Sequence, residues 1–253
     1  MKADTEVSLV VIFTVLGFSV GRMVETDAVK PFFDYFFTPI ITLAAAFSGA
    51  WYAFRLQSEK AARDSQERDV RSANNAIFEM TRWYNKLHGF KMQFIEEHRN
   101  NPLKHLFILP AAGGSLGRPE INYESLSFIF KSSNPNILGT MSLAEQEVAS
   151  TIDVIVQRSK LHVDVFQPAV ERVETRLGYS FPPSEIEKEL GSRHSQLFRM
   201  LTDYMVSGVD DSLSALRQNI DLLKAETKAM YPGHVVVGMI DPPSVVAFAT
   251  HSA

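Results

Sequence analysis

The chain has 253 residues, with 25 lysines and arginines against 29 aspartates and glutamates, seven histidines and no cysteine. The missing cysteine excludes a disulfide framework, a thiol nucleophile and cysteine-bound zinc. A net charge of -4 with nearly balanced signs argues against a general nucleic-acid surface, so no nucleic-acid partner is expected.

The charges are unevenly spread. Residues 1–54 hold three basic and five acidic residues, and the remainder holds 22 and 24. From Val7 to Gly21 no residue is charged, and Arg22 follows. A membrane span needs about 20 mostly apolar residues, with a lower limit near 17, so this segment qualifies if Arg22 reaches the headgroups. A cleaved signal peptide is the competing reading, although "MKADTE" carries more acid than base. The second segment, Tyr35 to Phe54, is uncharged and has aromatic residues at both edges. Trp51 and Tyr52, followed by Arg55, match an interfacial belt. Gly17 with Gly21, and Ala45 with Gly49, place small residues four apart, a spacing that lets helices approach closely in lipid.

Lys60, Arg63, Arg68 and Arg71 extend the basic run after Arg55, whereas the connection between the two segments offers Lys30. The positive-inside rule then places both the N-terminus and everything after Arg55 in the cytoplasm. No Gly or Pro occurs from Arg55 to Tyr84 and beyond, until Gly89, so the second span is expected to continue as one helix into a solvated neck. From Val70 an apolar stripe runs through Ala73, Ile77, Met80, Tyr84 and Leu87, then on to Lys91 and Phe94. Trp83, Tyr84, Phe90 and Phe94 occupy more than one face. Two readings stay open for them: a wide core contact, or a docking surface for a partner. "RNNP" at Arg99–Pro102 should stop the helix.

"YESLSFIF" reads as a short helix. Ser142 with Glu145 fits a capping box opening a long helix to Gly178, kinked at Pro168. A second box, Ser184 with Glu187, opens a last helix from about Glu185 to Met230, with Gly191 and Gly208 as bends. "HVVVGMI" resembles a lone strand and the rest a tail. The expected fold class is all-α: a transmembrane hairpin over 1–56, a cytoplasmic bundle of three long helices and one short helix over 57–233, and a tail over 234–253.

Chemistry is sparse. None of the seven histidines sits in HxxxH, HExxH or ExxH, no GxSxG occurs, and "GGSLG" lacks the strand and lysine of a phosphate loop. Arg158 with Lys160, and Arg193 with His194, are the places where a phosphate could be held, against the plainer reading of solvated charges or ion pairs. No catalytic, cofactor or metal residue is therefore assigned.

The join "GAWYAFRLQSEKAARDSQERDVRSANNAIFEMTRWYN", followed by "YESLSFIF" and "NPNILGTMSLAEQEV", resembles a family of uncharacterised bacterial inner-membrane proteins. These combine a two-span hairpin, a charged neck and a helical cytoplasmic domain. The resemblance implies an inner-membrane address and no assigned activity. In layout the chain is also similar to two-span anti-phage effectors, which disturb the membrane. The expectation is a non-enzymatic anchored protein with the lipid bilayer and either a second copy or a cytosolic protein as partners. A membrane-disrupting effector and an enzyme with a site assembled between helices are the alternatives.

Overall fold

The computed structural model describes residues 38–111 and 117–239, and these are all-helical, with no strand among them. Helix α1 runs from Thr38 to Phe90 over 53 residues and passes into a π turn, Lys91–Ile95, and a 3-10 turn, Glu96–His98. A one-turn helix α2, Lys104–Phe107, and a 3-10 segment, Glu124–Lys131, precede α3, Ile137–Leu161. A second π turn, His162–Phe166, leads into α4, Gln167–Leu177, and α5 spans Pro183–Met230. The chain divides into two compact units, one ending at Asp64 and the other beginning at Ser65.

In the first unit, the described part of α1 is exposed nearly throughout. Ile40, Ile41, Leu43, Phe47, Trp51, Tyr52 and Phe54 all face outward, with Phe47 73% exposed. Among the described residues no helix is long and apolar enough to cross a membrane. The first expected span lies wholly outside the described residues, and Tyr35 to Phe37 of the second do too. What is left of the second span is diluted by Ala, Gly, Ser, Thr, Trp and Tyr, which gain little in hydrocarbon.

In the second unit the expected stripe is the core face of α1. Val70 is buried, and Ala73, Ile77, Met80, Trp83, Tyr84, Leu87 and Phe90 are buried together with side chains of α3, α5 and the 3-10 segment. Burial of a Leu- or Ile-sized side chain contributes about 1.5–3 kcal/mol each, so this face, rather than helix propensity, holds the element. The capping boxes correct the expectation. Helix α3 starts at Ile137, so Ser142 is interior, and Glu145 instead accepts from the Tyr123 hydroxyl at 2.7 Å and the Ile121 N–H at 3.3 Å. Pro182 caps α5, and Glu187 receives Arg199 at 2.9 Å.

The irregularities differ from expectation in kind. The break expected at Pro168 is the π turn just before it, which leaves Pro168 in the first turn of α4, where its missing N–H costs nothing. Gly191 does bend α5, with φ 71°, a value that suits glycine. Gly208 does not bend it. A Cβ there would lie 2.8 Å from the Thr151 Oγ1, so that glycine lets α5 approach α3 closely. "HVVVGMI" is no strand over its described residues: Asn74 donates to the Val235 carbonyl at 3.2 Å and accepts from the Val237 N–H at 2.9 Å. The Tyr231 hydroxyl donates to Asp69 at 2.7 Å, so the segment is tied to α1 at two places.

Candidate functional site

Sequence signals and structure diverge most over the aromatic residues at 83–94. Trp83, 2% exposed, Tyr84 and Phe90 lie in the core, and Phe94 packs against it half-buried. Of the two readings left open for these residues, the wide core contact is the one seen, and the docking surface is corrected: Trp83, Tyr84 and Phe90 are buried among side chains of α3, α5 and the 3-10 segment. Of the expected membrane residues, Gly17, Gly21 and Arg22 lie outside the described residues. Ala45, Gly49, Trp51 and Tyr52 are exposed, and among the described residues nothing approaches the Cβ position of Gly49 within 4 Å. Arg55 is half-buried and pairs with Glu59 at 3.2 Å.

The polar chemistry sits elsewhere, around α2. The turn after α1 and the adjacent face of α5 enclose a cleft of about 330 Å³ lined by Arg99, Asn100, Asn101, Lys104, His105, Arg199, Asp203 and Pro102. That volume lies within the range of small-ligand sites. Each cation has a carboxylate beside it: Lys104 lies 2.9 Å from Asp203, Arg199 2.9 Å from Glu187, and Arg99 pairs with Asp210. Lys91 meets Asp210 from the other side at 2.9 Å. Burial would raise the Asp210 carboxyl, but the bonds from Lys91 and Arg99 outweigh it and hold that pKa below the ordinary value.

The cleft backs onto a buried arginine. Arg158, on α3, is 0% exposed. Its Nε donates to the Thr202 Oγ1 at 3.0 Å, and its guanidinium also donates to the carbonyls of His105, Ile108 and Leu109. The segment running out of α2 is thereby fastened to the bundle interior. The Phe198 ring lies 4.9 Å from the Arg158 guanidinium carbon. Desolvation alone pulls the Arg158 pKa down to about 10. His162, one helical turn on, is buried against Phe166 and Phe198 at 4.6 and 5.7 Å. Burial first, then the Arg158 charge, lowers its pKa to about 4. His105 is also buried; desolvation and the charge of Arg199 lower its pKa, while Glu187, 3.2 Å from its Nε2, opposes them.

Lys160 is exposed and not part of this cluster, and Arg193 is exposed too. The sequence signal for the cleft was the run "HRNNPLKH", eight residues rich in donors, which reads most simply as a helix stop. Arg199 and Asp203 joined it from α5, about a hundred residues away, by a route no spacing rule reveals.

No protein-family model matches this chain. Neither a curated protein nor a solved structure matches it. The likeness to two-span inner-membrane proteins therefore rests on the quoted residues alone.

Proposed function

We propose that the chain is a bacterial inner-membrane protein, anchored by the segments before Arg55, with the helical unit from Ser65 onward in the cytoplasm. In this reading it acts without turnover, through self-association or a cytosolic protein partner. One observation carries the reading: the described start of α1 exposes Ile40, Ile41, Leu43, Phe47, Trp51, Tyr52 and Phe54 along one half of its circumference, with small residues on the other and no described element covering them. An exposed face of large apolar side chains is stable when something apolar covers it, and the aromatic end followed by Arg55 suits a bilayer edge. The charged residues after Arg55 then mark the passage into water. The 17 uncharged residues from Thr38 to Phe54 would extend about 25 Å along a helix axis, short of a full hydrocarbon thickness, which residues before Thr38 would complete.

The test is alkaline carbonate extraction of bacterial membranes carrying the full chain. The wild type should stay in the pellet, and the double substitution Leu43→Glu with Phe47→Glu should move it to the supernatant. Release of the wild type by carbonate sinks the proposal. The membrane-disrupting effector is the second reading, favoured by the open face at Ala45 and Gly49. Gly49→Ile should then abolish both crosslinked oligomers and dye uptake in expressing cells; dye uptake that persists without oligomers removes that reading.

A further inference from the structure

Local charge around the cleft does not close. Lys91, Arg99, Lys104 and Arg199 are matched in number by Glu96, Glu187, Asp203 and Asp210, and each of these cations lies within ion-pair distance of at least one of them. Arg158 adds a fifth cation, fully buried, whose hydrogen bonds run to a hydroxyl and three carbonyls. A buried charge without a counter-charge is costly, and hydrogen bonds to neutral oxygens offset only part of it. His105 links the two layers: its carbonyl accepts from Arg158, and the residue borders the cleft. Its ring is 1% exposed, and the Nδ1 has no hydrogen-bond partner among the described residues.

The lining is donor-rich on the side open to a ligand. Three cations and two side-chain amides face one carboxylate, Asp203. Asn101 uses its Oδ1 on the Leu103 N–H at 2.8 Å, which turns its amide nitrogen to other use. Arg199 spends one Nη on Glu187 and keeps the remainder of its fork. The donors come from three separate segments: the turn after α1, α2, and α5.

We propose that this cleft binds a phosphate monoester, with Arg99, Lys104 and Arg199 holding the phosphate oxygens and His105 closing its floor. The surroundings hold one positive charge in excess, which an anion would offset, and the guanidinium forks that engage carboxylates engage phosphate oxygens in the same two-point way. The volume admits a phosphate with a small attached group. The same chemistry is presented by a soluble phosphorylated metabolite and by the headgroup of an anionic lipid.

The experiment uses the full chain purified in detergent, titrated calorimetrically with glycerol 3-phosphate and with short-chain phosphatidic acid at constant ionic strength. Saturable binding is expected for at least one, with Arg199→Gln and Lys104→Gln each weakening it by about tenfold or more. Arg172→Gln, which loses a cation paired with Glu189 at 2.8 Å outside the cleft lining, should leave it unchanged. Circular dichroism of each variant separates lost binding from lost fold. Tighter binding of phosphatidic acid assigns a lipid source, and equal or tighter binding of glycerol 3-phosphate assigns a soluble one. No saturable binding of either at millimolar concentration overturns the proposal. So does an equal heat from sodium chloride, or an Arg172→Gln loss as large as that of Arg199→Gln.

Discussion

Mild acid should destabilise the helical unit through one side chain, His162. Its ring is 4% exposed, wedged between Phe166 and Phe198, with Arg158 on the preceding turn. The folded pKa is about 4, against an ordinary value of 6.5. Between those values the unfolded chain binds the extra proton, so stability rises with pH across the window and falls as pH drops through it. At 1.36 kcal/mol per unit, the loss from this group approaches about 3 kcal/mol by pH 4. The perturbation is His162→Phe, which keeps an aromatic ring between the two phenylalanines and removes a buried Nδ1 that has no partner among the described residues. Urea unfolding by far-UV circular dichroism would be measured at intervals from pH 7 to pH 4 on both proteins. The variant should be as stable as the wild type or more so at neutral pH, and the gap should widen by about 3 kcal/mol toward pH 4. Carboxylates and His105 titrate in both proteins and cancel in the difference. A gap independent of pH would refute the assignment of a neutral, desolvated imidazole at this place.

Two glycines on long helices should respond oppositely to alanine. Gly208→Ala drives a methyl group against Thr151, whose Oγ1 already bonds to Ser212 at 3.0 Å between α3 and α5, and should lower the urea midpoint by the equivalent of about 1–3 kcal/mol. Gly89→Ala meets open space on the exposed side of α1 and should raise stability by about 0.5–1 kcal/mol. Asn74→Ala removes both bonds to the main chain of 235–237; hydrogen exchange of the Val237 amide should accelerate strongly while the global midpoint moves by about 1 kcal/mol or less. Unchanged protection at Val237 would mean that other contacts hold the segment.

Much of the helical unit was legible because apolar spacing is a direct consequence of burial on one face. Val70 through Leu87 keep that spacing and are buried. The reading slipped locally at the π turns. After Lys91–Ile95 the buried residue is Ile95, one position beyond the expected Phe94, and within His162–Phe166 the core takes His162 in place of Val163, while Phe166 and Val173 further on keep the expected spacing and are buried. No residue type marks a π turn as Gly or Pro marks a bend, so the shift is silent in the sequence. The capping boxes misled because Ser with Glu three residues later is also common inside helices. The cleft was illegible for another reason: Arg158 read as a surface cation, and the three carbonyls that enclose it belong to a segment roughly fifty residues earlier.

The π turns also constrain how the length of this chain can change over evolutionary time. Each holds one residue more than an α-helical ladder would in the same rise. Losing a single residue there, such as Met92, would restore regular α winding over the same rise and leave the helix on either side in its present register. Ile95 would keep its place in the core and Arg99 its place beside Asp210, whereas the same loss from the regular part of α1 would turn both away by about 100°. Loss of one residue should therefore be tolerated at 91–95 or 162–166, and elsewhere in these helices only when a second length change nearby restores the phase.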